Sequence, residues 1–361
     1  MFERRLYHHV DWGLLIAVLT LCAVGLAQIY SATGGWTNIV QTQIYGIAIG
    51  IIALLVALSI DYRSLADKSH LIYVAILGLL LYVLLFGAVR GGSRRWIDLG
   101  SFNIQPSEFA KATLALVLAK FFGDSRRGIV TRVDLLVAGG LTAIPLLLIA
   151  QQPDLGTAAT LIPVAFAVVY VAGMPMRILG ALALVALLAA PIGWKFALQD
   201  YQRERISTFL DPSQDARGAG YQQIQARITV GSGGPWGKGF TEGTQGQLRF
   251  LPVAHNDFIF SVLAEEQGFA GVIVVLGLYL FVILRSIESA RLAKDRLGAY
   301  LVLGVLASFT FQVIYNITMS AGLAPVKGLT LPLMSYGGSS MIATLAGFGL
   351  VLNVRMRRFT N

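Results

Sequence analysis

Residues 12–32 read WGLLIAVLTLCAVGLAQIYSA, a mostly apolar run that determines how the rest of the chain is interpreted. A helix needs about 20 mostly apolar residues to cross a lipid bilayer, whereas a cleaved secretory signal has a shorter apolar core and a small-residue cleavage site. The residues before the run are few and basic, with Arg4 and Arg5. We therefore predict that the run is a retained first transmembrane helix.

Apolar runs of similar length follow along the rest of the 361-residue chain. The sequence is 56% hydrophobic and 13% charged, whereas soluble domains carry about 25% charged residues. We predict an all-α, polytopic membrane protein of about ten transmembrane helices, with a single domain over residues 1–361 and one large extracytoplasmic loop over residues 199–256. The predicted spans are 12–32, 43–60, 69–88, 107–123, 133–150, 157–174, 177–198, 257–285, 298–320 and 336–354.

The distribution of Lys and Arg predicts how the chain is oriented. The net charge is +9, and the short loops on the side of the two termini are rich in Lys and Arg, as cytoplasmic loops are. We predict a multi-pass protein of the cytoplasmic (inner) membrane, with both termini in the cytoplasm and its functional site facing the periplasm or the outside. The basic excess then serves topology and anionic lipid, and does not indicate nucleic acid.

One short loop breaks this charge pattern. Residues 90–96 read RGGSRRW and lie on the predicted outer side. Three Arg residues in a short external loop oppose the insertion bias. They indicate that an anionic ligand binds there, with Arg94 and Arg95 as the candidate contacts.

Two aspartates lie at predicted outer helix ends, and each has a structural and a functional interpretation. Asp257 opens the eighth span, where it either caps the helix or, partly desolvated, serves as a general base. Asp154 precedes the sixth span and follows Pro153, which is typical of a turn and a cap. The functional alternative is that Asp154 is a metal or substrate ligand beside Asp257, and only spatial proximity distinguishes the two.

Ionisable residues also lie inside predicted spans, where they are costly in lipid. Glu108 and Lys111 are three residues apart and share a helical face. They form either a self-neutralising pair or a unit in which Glu108 holds Lys111 against a substrate phosphate. Glu265 and Glu266 are adjacent and point in different directions, which favours a structural polar network in which at least one of them is paired.

Several motifs are absent from the sequence. It contains no Walker A motif, no Cys/His spacing typical of zinc and no Gly-x-Ser-x-Gly nucleophile elbow. We therefore predict no nucleotide cofactor.

Short motifs occur in order along nearly the whole chain: RRWIDLG at 94–100, QPSEFAK at 105–111, QPDLGT at 152–157, GKG at 237–239, GTQ at 243–245, HNDFIF at 255–260 and PLMSYGGSS at 332–340. As a set they resemble the SEDS family of peptidoglycan glycosyltransferases. Within that family the GKG and GTQ elements resemble the elongation-type members more than the division-type members. Lys327 is more similar to the division-type members, and Asn256 stands where the family usually has Thr.

The resemblance implies a ten-helix enzyme that polymerises lipid II outside the membrane during cell elongation, with Asp257 as the essential carboxylate and Asp154 assisting. It implies a class B penicillin-binding protein, a transpeptidase, as partner within the elongation machinery. It also implies a divalent cation, Mg or Mn, held by Asp154 and Asp257. The Gly-rich segment 231–246 is expected to act as a mobile lid over the growing glycan. Substrate contacts are expected at Arg94, Arg95, Trp96, Glu108, Lys111, Gln222, Lys238, His255 and Lys327.

Two other functions fit a bundle with buried charges. A transporter or flippase of the same lipid-linked precursor is the first, but its site should lie near the membrane midplane, whereas Asp257, Asp154 and the Arg cluster map to helix ends. A non-catalytic scaffold that only recruits the transpeptidase is the second, and it leaves the buried charges without a use.

Overall fold

Apolar helices make up most of the molecule. The computed structural model describes residues 9–90, 93–98, 100, 103–125, 130–192, 200–215, 218–248 and 250–359. The helices are α1 (Trp12–Ala32), α2 (Asn38–Ser59), α3 (Tyr62–Asp67), α4 (Ser69–Phe86), α5 (Pro106–Gly123), α6 (Arg132–Gln151), α7 (Leu155–Val171), α8 (Met176–Ile192), α9 (Asp200–Leu210), α10 (Ala219–Ser232), α11 (Thr244–Gln247), α12 (Ile259–Arg291), α13 (Arg296–Ser320) and α14 (Gly338–Met356).

The predicted helical membrane architecture is confirmed. In the part of the chain that the structure describes, seven helices are long and apolar enough to cross a membrane: α1, α2, α4, α6, α12, α13 and α14. The other predicted spans correspond to α5, which contains three ionisable residues, and to α7 and α8, which have 17 residues each. The number of crossings therefore stays a prediction. Arg4, Arg5 and residues 193–198 of the seventh predicted span lie outside the described residues.

A small sheet between α4 and α5 was not predicted. Strands β1 (Ala88–Arg90), β2 (Ser93–Asp98) and β3 (Asn103–Ile104) form a three-stranded antiparallel sheet in the order β1-β2-β3. These strands are too short to give a clear alternation of polar and apolar residues. Successive side chains on a strand point to opposite faces, so β2 directs Arg94 and Arg95 to different sides.

Close packing of α2 against α14 depends on small residues. A Cβ on Gly349 would lie 2.6 Å from the carbonyl oxygen of Leu54, and one on Gly46 would lie 3.1 Å from the Cα of Gly338. Membrane helices commonly approach through such residues, because lipid supplies no hydrophobic force between them. The packing carries the loop before α14 into the centre of the bundle.

The bundle has two distinct ends. The loop face comprises the described residues of 33–37, 87–105, 152–154, 200–258 and 321–337. Hydrogen bonds join 87–105 to 152–154 and 200–258 to 321–337, and residues 33–35 share a cavity with Thr241 and Gly246. The opposite face comprises the described residues of 9–11, 60–68, 124–131, 172–175, 292–295 and 357–359 with the helix ends beside them, and contacts such as Arg63 to Asp295 at 2.8 Å join several of these segments. The predicted large polar loop and both predicted aspartates belong to the loop face.

Helix α12 is kinked, and the kink fixes part of the Gly-rich segment. Gly268 has φ of +64°, a conformation that glycine adopts without steric cost. Residues 233–239 lie across the kink and bond the backbone groups that it frees, which contradicts the predicted mobile lid for these residues. The bonds, of 2.9 to 3.0 Å, run from Lys238 N to Glu265 O, from Gly239 N to Glu266 O, from Phe269 N to Gly234 O and from Ala270 N to Pro235 O.

Candidate functional site

Asp257 lies in the turn that leads into α12, and its side chain does not cap that helix. The N-cap position is Phe258, and no side chain bonds the first turn. The Oδ1 atom of Asp257 is buried and has no hydrogen-bond partner among the described residues. A buried carboxylate oxygen without a partner is costly, so the capping interpretation of Asp257 is wrong and a functional one is favoured.

Two cavities of the loop face meet at Asp257. The smaller measures about 310 Å³ and the larger about 530 Å³, and Arg95, Asp154, Asp257 and Gly328 line both. Trp96 and Glu108 line the smaller cavity, and Gln222 and Lys327 line the larger. The predicted proximity of Asp154 to Asp257 is therefore observed.

Asp154 forms the predicted cap, and its predicted role as a metal or substrate ligand stays a prediction. It is the N-cap of α7 and accepts a hydrogen bond from the backbone N–H of Thr157 at 3.2 Å. Its other carboxylate oxygen accepts one from Gln105 Nε2 at 2.9 Å. The capped helix end thus places a buried carboxylate in the wall of both cavities.

The two arginines of β2 have different surroundings. Arg95 donates to the carbonyl oxygens of Gln152 and Pro153, and lies 3.7 Å from a carboxylate oxygen of Asp154. Arg94 is exposed and donates to the carbonyl oxygen of Leu85, and it lines neither cavity. Of the predicted pair, only Arg95 is placed for substrate.

Glu108 and Lys111 form the self-neutralising pair. Lys111 Nζ donates to Glu108 at 2.9 Å and to Gln312 Oε1 at 3.0 Å, and both charged residues are buried. The Lys111 side chain lines neither of the two cavities at Asp257 but a pocket of about 30 Å³ beneath them. The prediction that Lys111 contacts a substrate phosphate therefore finds no support in this geometry, because its donors face Glu108 and Gln312.

Two further predicted contacts lie outside the cavities. Lys238 pairs with the buried Glu265 at 2.6 Å, which confirms that one of the adjacent glutamates is paired and leaves Lys238 away from Asp257. His255 packs against the ring of Tyr336, with the ring centroids 5.6 Å apart. Its burial lowers the pKa of the imidazole. His255 supports the wall of the smaller cavity through Tyr336, and neither His255 nor Lys238 lines the two cavities.

Arg205 is a cavity residue that sequence reasoning did not select. It lies on α9 and lines the larger cavity with Arg95 and Lys327. Its charge also lowers the pKa of Asp257. Several Arg residues occur in the predicted outer loop, and no local pattern separates Arg205 from its neighbour Arg203.

The pKa of Asp257 is raised toward the range in which a carboxylate can serve as a general base. Burial raises the pKa of Asp257 to about 6, and the positive charges of Arg205 and Arg95 oppose this shift. The pKa of Lys327 is lowered, first by burial and then by Arg205. A carboxylate with a raised pKa accepts protons more readily at neutral pH.

The side chains present offer an incomplete set of ligands for the predicted divalent cation. The described residues contain no group of three or more His, Cys, Asp or Glu residues that could hold a metal ion. Both carboxylate oxygens of Asp154 already accept hydrogen bonds, whereas a Mg or Mn ion takes several oxygen ligands. The cation remains a prediction, and the chemistry proposed for the site uses only protein groups.

Comparison with known proteins places this geometry in a family. The family FTSW_RODA_SPOVE, described as "Cell cycle protein", matches residues 8–359. The peptidoglycan glycosyltransferase MrdB of Escherichia coli K12 is 38% identical over 351 residues, which cover 97% of this chain and 94% of that protein. The peptidoglycan glycosyltransferase RodA of Treponema pallidum is 30% identical over 424 residues, covering 96% and 98%.

Solved structures agree over the whole fold. The crystal structure of the rod shape-determining protein RodA of Thermus thermophilus is 33% identical, with a TM-score of 0.74 and 98% of each chain covered. A chain from a study of structural coordination of polymerization and crosslinking by a peptidoglycan synthase complex is 36% identical, with a TM-score of 0.86, covering 98% of this chain and 99% of that one. The chain therefore belongs to the FtsW/RodA/SpoVE family.

Proposed function

We propose that this chain is a peptidoglycan glycosyltransferase that polymerises lipid II into glycan strands, with Asp257 as the general base. The glycosyltransferases among its relatives share nearly its whole length. The observation that carries the assignment of the site is the buried, unpartnered Oδ1 of Asp257 at the junction of two cavities.

Asp257 takes the proton of the attacking hydroxyl. An acceptor sugar hydroxyl donates to the Asp257 carboxylate, and as its O–H bond breaks its oxygen forms a bond to the anomeric carbon of the donor. The bond between that carbon and the lipid-linked diphosphate breaks at the same time, and the diphosphate leaves with the electron pair. Attack opposite the leaving group inverts the anomeric centre, so no second carboxylate is needed as nucleophile.

Three cations of the larger cavity stabilise the departing diphosphate. Arg95, Arg205 and Lys327 approach it from β2, from α9 and from the segment before α14. Cations fixed where negative charge develops lower the barrier of group transfer. This set retains Arg95 and Lys327 from the sequence prediction and replaces Arg94 and Lys111 with Arg205.

The smaller cavity suits the acceptor sugar. Its wall includes Gln105, Asn256 and Ser340 together with the carboxylates of Asp154 and Glu108, and Arg95 is its one cation among the described residues. Neutral hydrogen-bonding groups and carboxylates bind sugar hydroxyls through hydrogen bonds. The negative charge of the carboxylates disfavours a second diphosphate. The donor therefore binds in the larger cavity and the acceptor in the smaller one, with Asp257 between them.

The proposed function also suggests the partner protein of this chain and its orientation in the membrane. A class B penicillin-binding protein crosslinks the strands made here, which is supported by the likeness to a chain studied in a peptidoglycan synthase complex. The helix ends and short loops of the opposite face carry Arg63, Lys120, Arg285 and Arg355. By the positive-inside rule, that face is cytoplasmic and the loop face lies outside the inner membrane.

Polymerisation of lipid II by the purified protein tests this function. We expect glycan polymer from lipid II in detergent or in liposomes without a nucleotide, because the donor diphosphate supplies the energy. A matched sample lacking the protein gives the background. Movement of lipid II across liposomes without polymer would contradict the proposal and would indicate a flippase, whereas no reaction with full binding of the transpeptidase would indicate a scaffold.

A further inference from the structure

The segment that closes the site over Asp257 is fastened to two consecutive residues of α13. Tyr315 Oη donates to the carbonyl oxygen of Pro325 at 2.8 Å, and Asn316 Nδ2 donates to the carbonyl oxygen of Leu329 at 2.7 Å. Lys327 and Gly328 lie between these two attachment points, and both line the larger cavity. We call residues 325–329 the arch.

Asn316 also holds the catalytic turn. The same Nδ2 atom donates to the carbonyl oxygen of Asp257 at 2.9 Å. One amide group therefore joins the backbone of the proposed base to the backbone of the arch. Asn316 is fully buried in α13, and its Oδ1 has no partner among the described residues. A buried amide with an unpaired oxygen is costly in a membrane helix, which indicates that its donors serve a purpose at this position.

The arch is positioned closely against the base. A Cβ on Gly328 would lie 3.5 Å from Oδ2 of Asp257, and Gly328 has φ of +67°. The Lys327 ammonium lies over the ring of Tyr315, 6.0 Å from its centroid, within the range of a cation–π contact. Tyr315 thus fixes both the start of the arch and the cation that it carries.

We infer that Tyr315 and Asn316 form a clip that positions Lys327 and Gly328 against Asp257, so that the base and a diphosphate-binding cation keep their relative placement during the reaction. The inference rests on the proposed function. Neither residue touches substrate, so both are positioning residues. Misplacement of reacting groups by about 1 Å costs about 100-fold in rate. Correct placement by the clip can therefore outweigh the loss of stability that the unpaired Oδ1 of Asn316 causes.

Asn316→Leu tests the clip, with Asn353→Leu as the matched control. Asn353 is equally buried, and its Nδ2 donates to the carbonyl oxygens of Ala57, Leu58 and Ile60 at the opposite face. Both substitutions leave buried carbonyl oxygens without their donor, so both should lower thermal stability. Only Asn316→Leu should lower kcat for polymerisation, by about 10-fold or more per folded molecule.

The pH profile separates positioning from a general loss of stability. Charged groups that face Asp257 come from every element around it: Arg95, Glu108, Asp154, Arg205 and Lys327. Releasing the catalytic turn admits water to the carboxylate and weakens the desolvation that raises its pKa. In Asn316→Leu the acid limb of kcat/KM should therefore shift to lower pH, whereas in Asn353→Leu it should stay where it is in the unsubstituted protein.

The outcomes that overturn the clip are distinct from failure of the proposed function, which appears as absence of polymer from the unsubstituted protein. A folded Asn316→Leu protein with unchanged kcat and an unchanged acid limb overturns the inference. Tyr315→Phe supplies a second test that keeps the ring under Lys327 and removes only the bond to Pro325. We expect about a 5-fold rise in KM for lipid II from the loss of that hydrogen bond, and an unchanged KM overturns the inference if Asn316→Leu does not fold.

Discussion

Two aspartates at opposite ends of the bundle have opposite surroundings. At the opposite face, Asp11 is buried, caps α1 through the N–H of Leu14, and forms ion pairs with Arg285 at 2.9 Å and Arg355 at 3.0 Å. At the loop face, Asp257 has a buried oxygen without any partner among the described residues. The Asp11 carboxylate is buried and neutralised by two ion pairs, whereas the Asp257 carboxylate is half-buried, lines two cavities and has no ion pair among the described residues.

The difference separates a structural charge from a functional one. A buried charge with two cationic partners tethers α1 to α12 and α14, and its role is complete in the folded protein. A half-buried carboxylate with one buried oxygen and no ion pair destabilises the fold, and it is retained where the missing partner arrives with the substrate. The same contrast distinguishes two lysines of the loop face, since Lys238 is paired with Glu265 and Lys327 faces a cavity.

Replacing each aspartate by asparagine should give the largest difference in activity between the two sites. Asp257→Asn should reduce polymerisation by about 10²- to 10⁴-fold, the usual contribution of a general base, and should leave thermal stability unchanged or raised. Asp11→Asn should lower thermal stability, because Arg285 and Arg355 lose a partner, and should retain activity per folded molecule. Equal effects of the two substitutions on activity would remove the distinction between them.

The buried Glu108–Lys111 pair is a second example of a structural charge, and it lies within helix α5. Lys111→Met leaves Glu108 without its buried partner and should cost about 3–5 kcal/mol of stability, measured by thermal unfolding in detergent. The double variant Lys111→Met with Glu108→Gln should recover most of that loss, because a neutral pair of similar volume replaces the ion pair. A single variant as stable as the unsubstituted protein would show that Lys111 is not a structural counter-ion.

The two lysines of the loop face should show the same contrast between a structural and a functional charge, with smaller effects on KM and stability. Lys327→Met should raise KM for lipid II about 10-fold, since hydrogen bonds to charged groups contribute about 1.5–3 kcal/mol, and should change stability little. Lys238→Met is the matched control, and it should lower thermal stability through the loss of the Glu265 pair while KM stays the same. The assay is polymerisation at varied lipid II concentration, and a higher KM in Lys238→Met alone would reverse the two roles.

The pH dependence gives the smallest effect. The active form of Asp257 is the carboxylate, so kcat/KM should rise with pH through about 6 and be half its maximum there. Because the folded-state pKa lies above the ordinary 3.8, the folded state holds this proton more tightly than the unfolded chain does. The contribution of Asp257 to stability should therefore decline as pH rises from about 4 to about 6, and thermal unfolding over that range should show this decline only when Asp257 is present.

Composition and local spacing predicted the parts of the molecule that depend on neighbouring residues. Apolar runs located the helices, and the three-residue spacing of Glu108 and Lys111 predicted their pairing. The family to which the chain belongs was also predicted, because its motifs are local. The cap at Asp154 and its position beside Asp257 were also predicted and are observed, whereas its role as a ligand stays a prediction.

The remaining parts of the site depend on contacts between distant segments. Arg205 reaches the larger cavity from α9, and Asn316 reaches Asp257 from 59 residues along the chain. Lys238 was predicted to bind substrate because nothing local indicated that Glu265 takes its charge. Arg94 was predicted with Arg95, and the alternation of side chains along an unpredicted strand separates them.

A direct titration of the Asp257 carboxyl group tests the central claim, that this acid is an unpaired proton acceptor. Infrared difference spectra between the unsubstituted protein and Asp257→Asn isolate its carboxylic acid C=O stretching band. The band should be present at pH 5 and disappear with a midpoint at about pH 6. Absence of any such band at pH 5 would mean that Asp257 is already ionised and stabilised by a partner, which would contradict its assignment as the base.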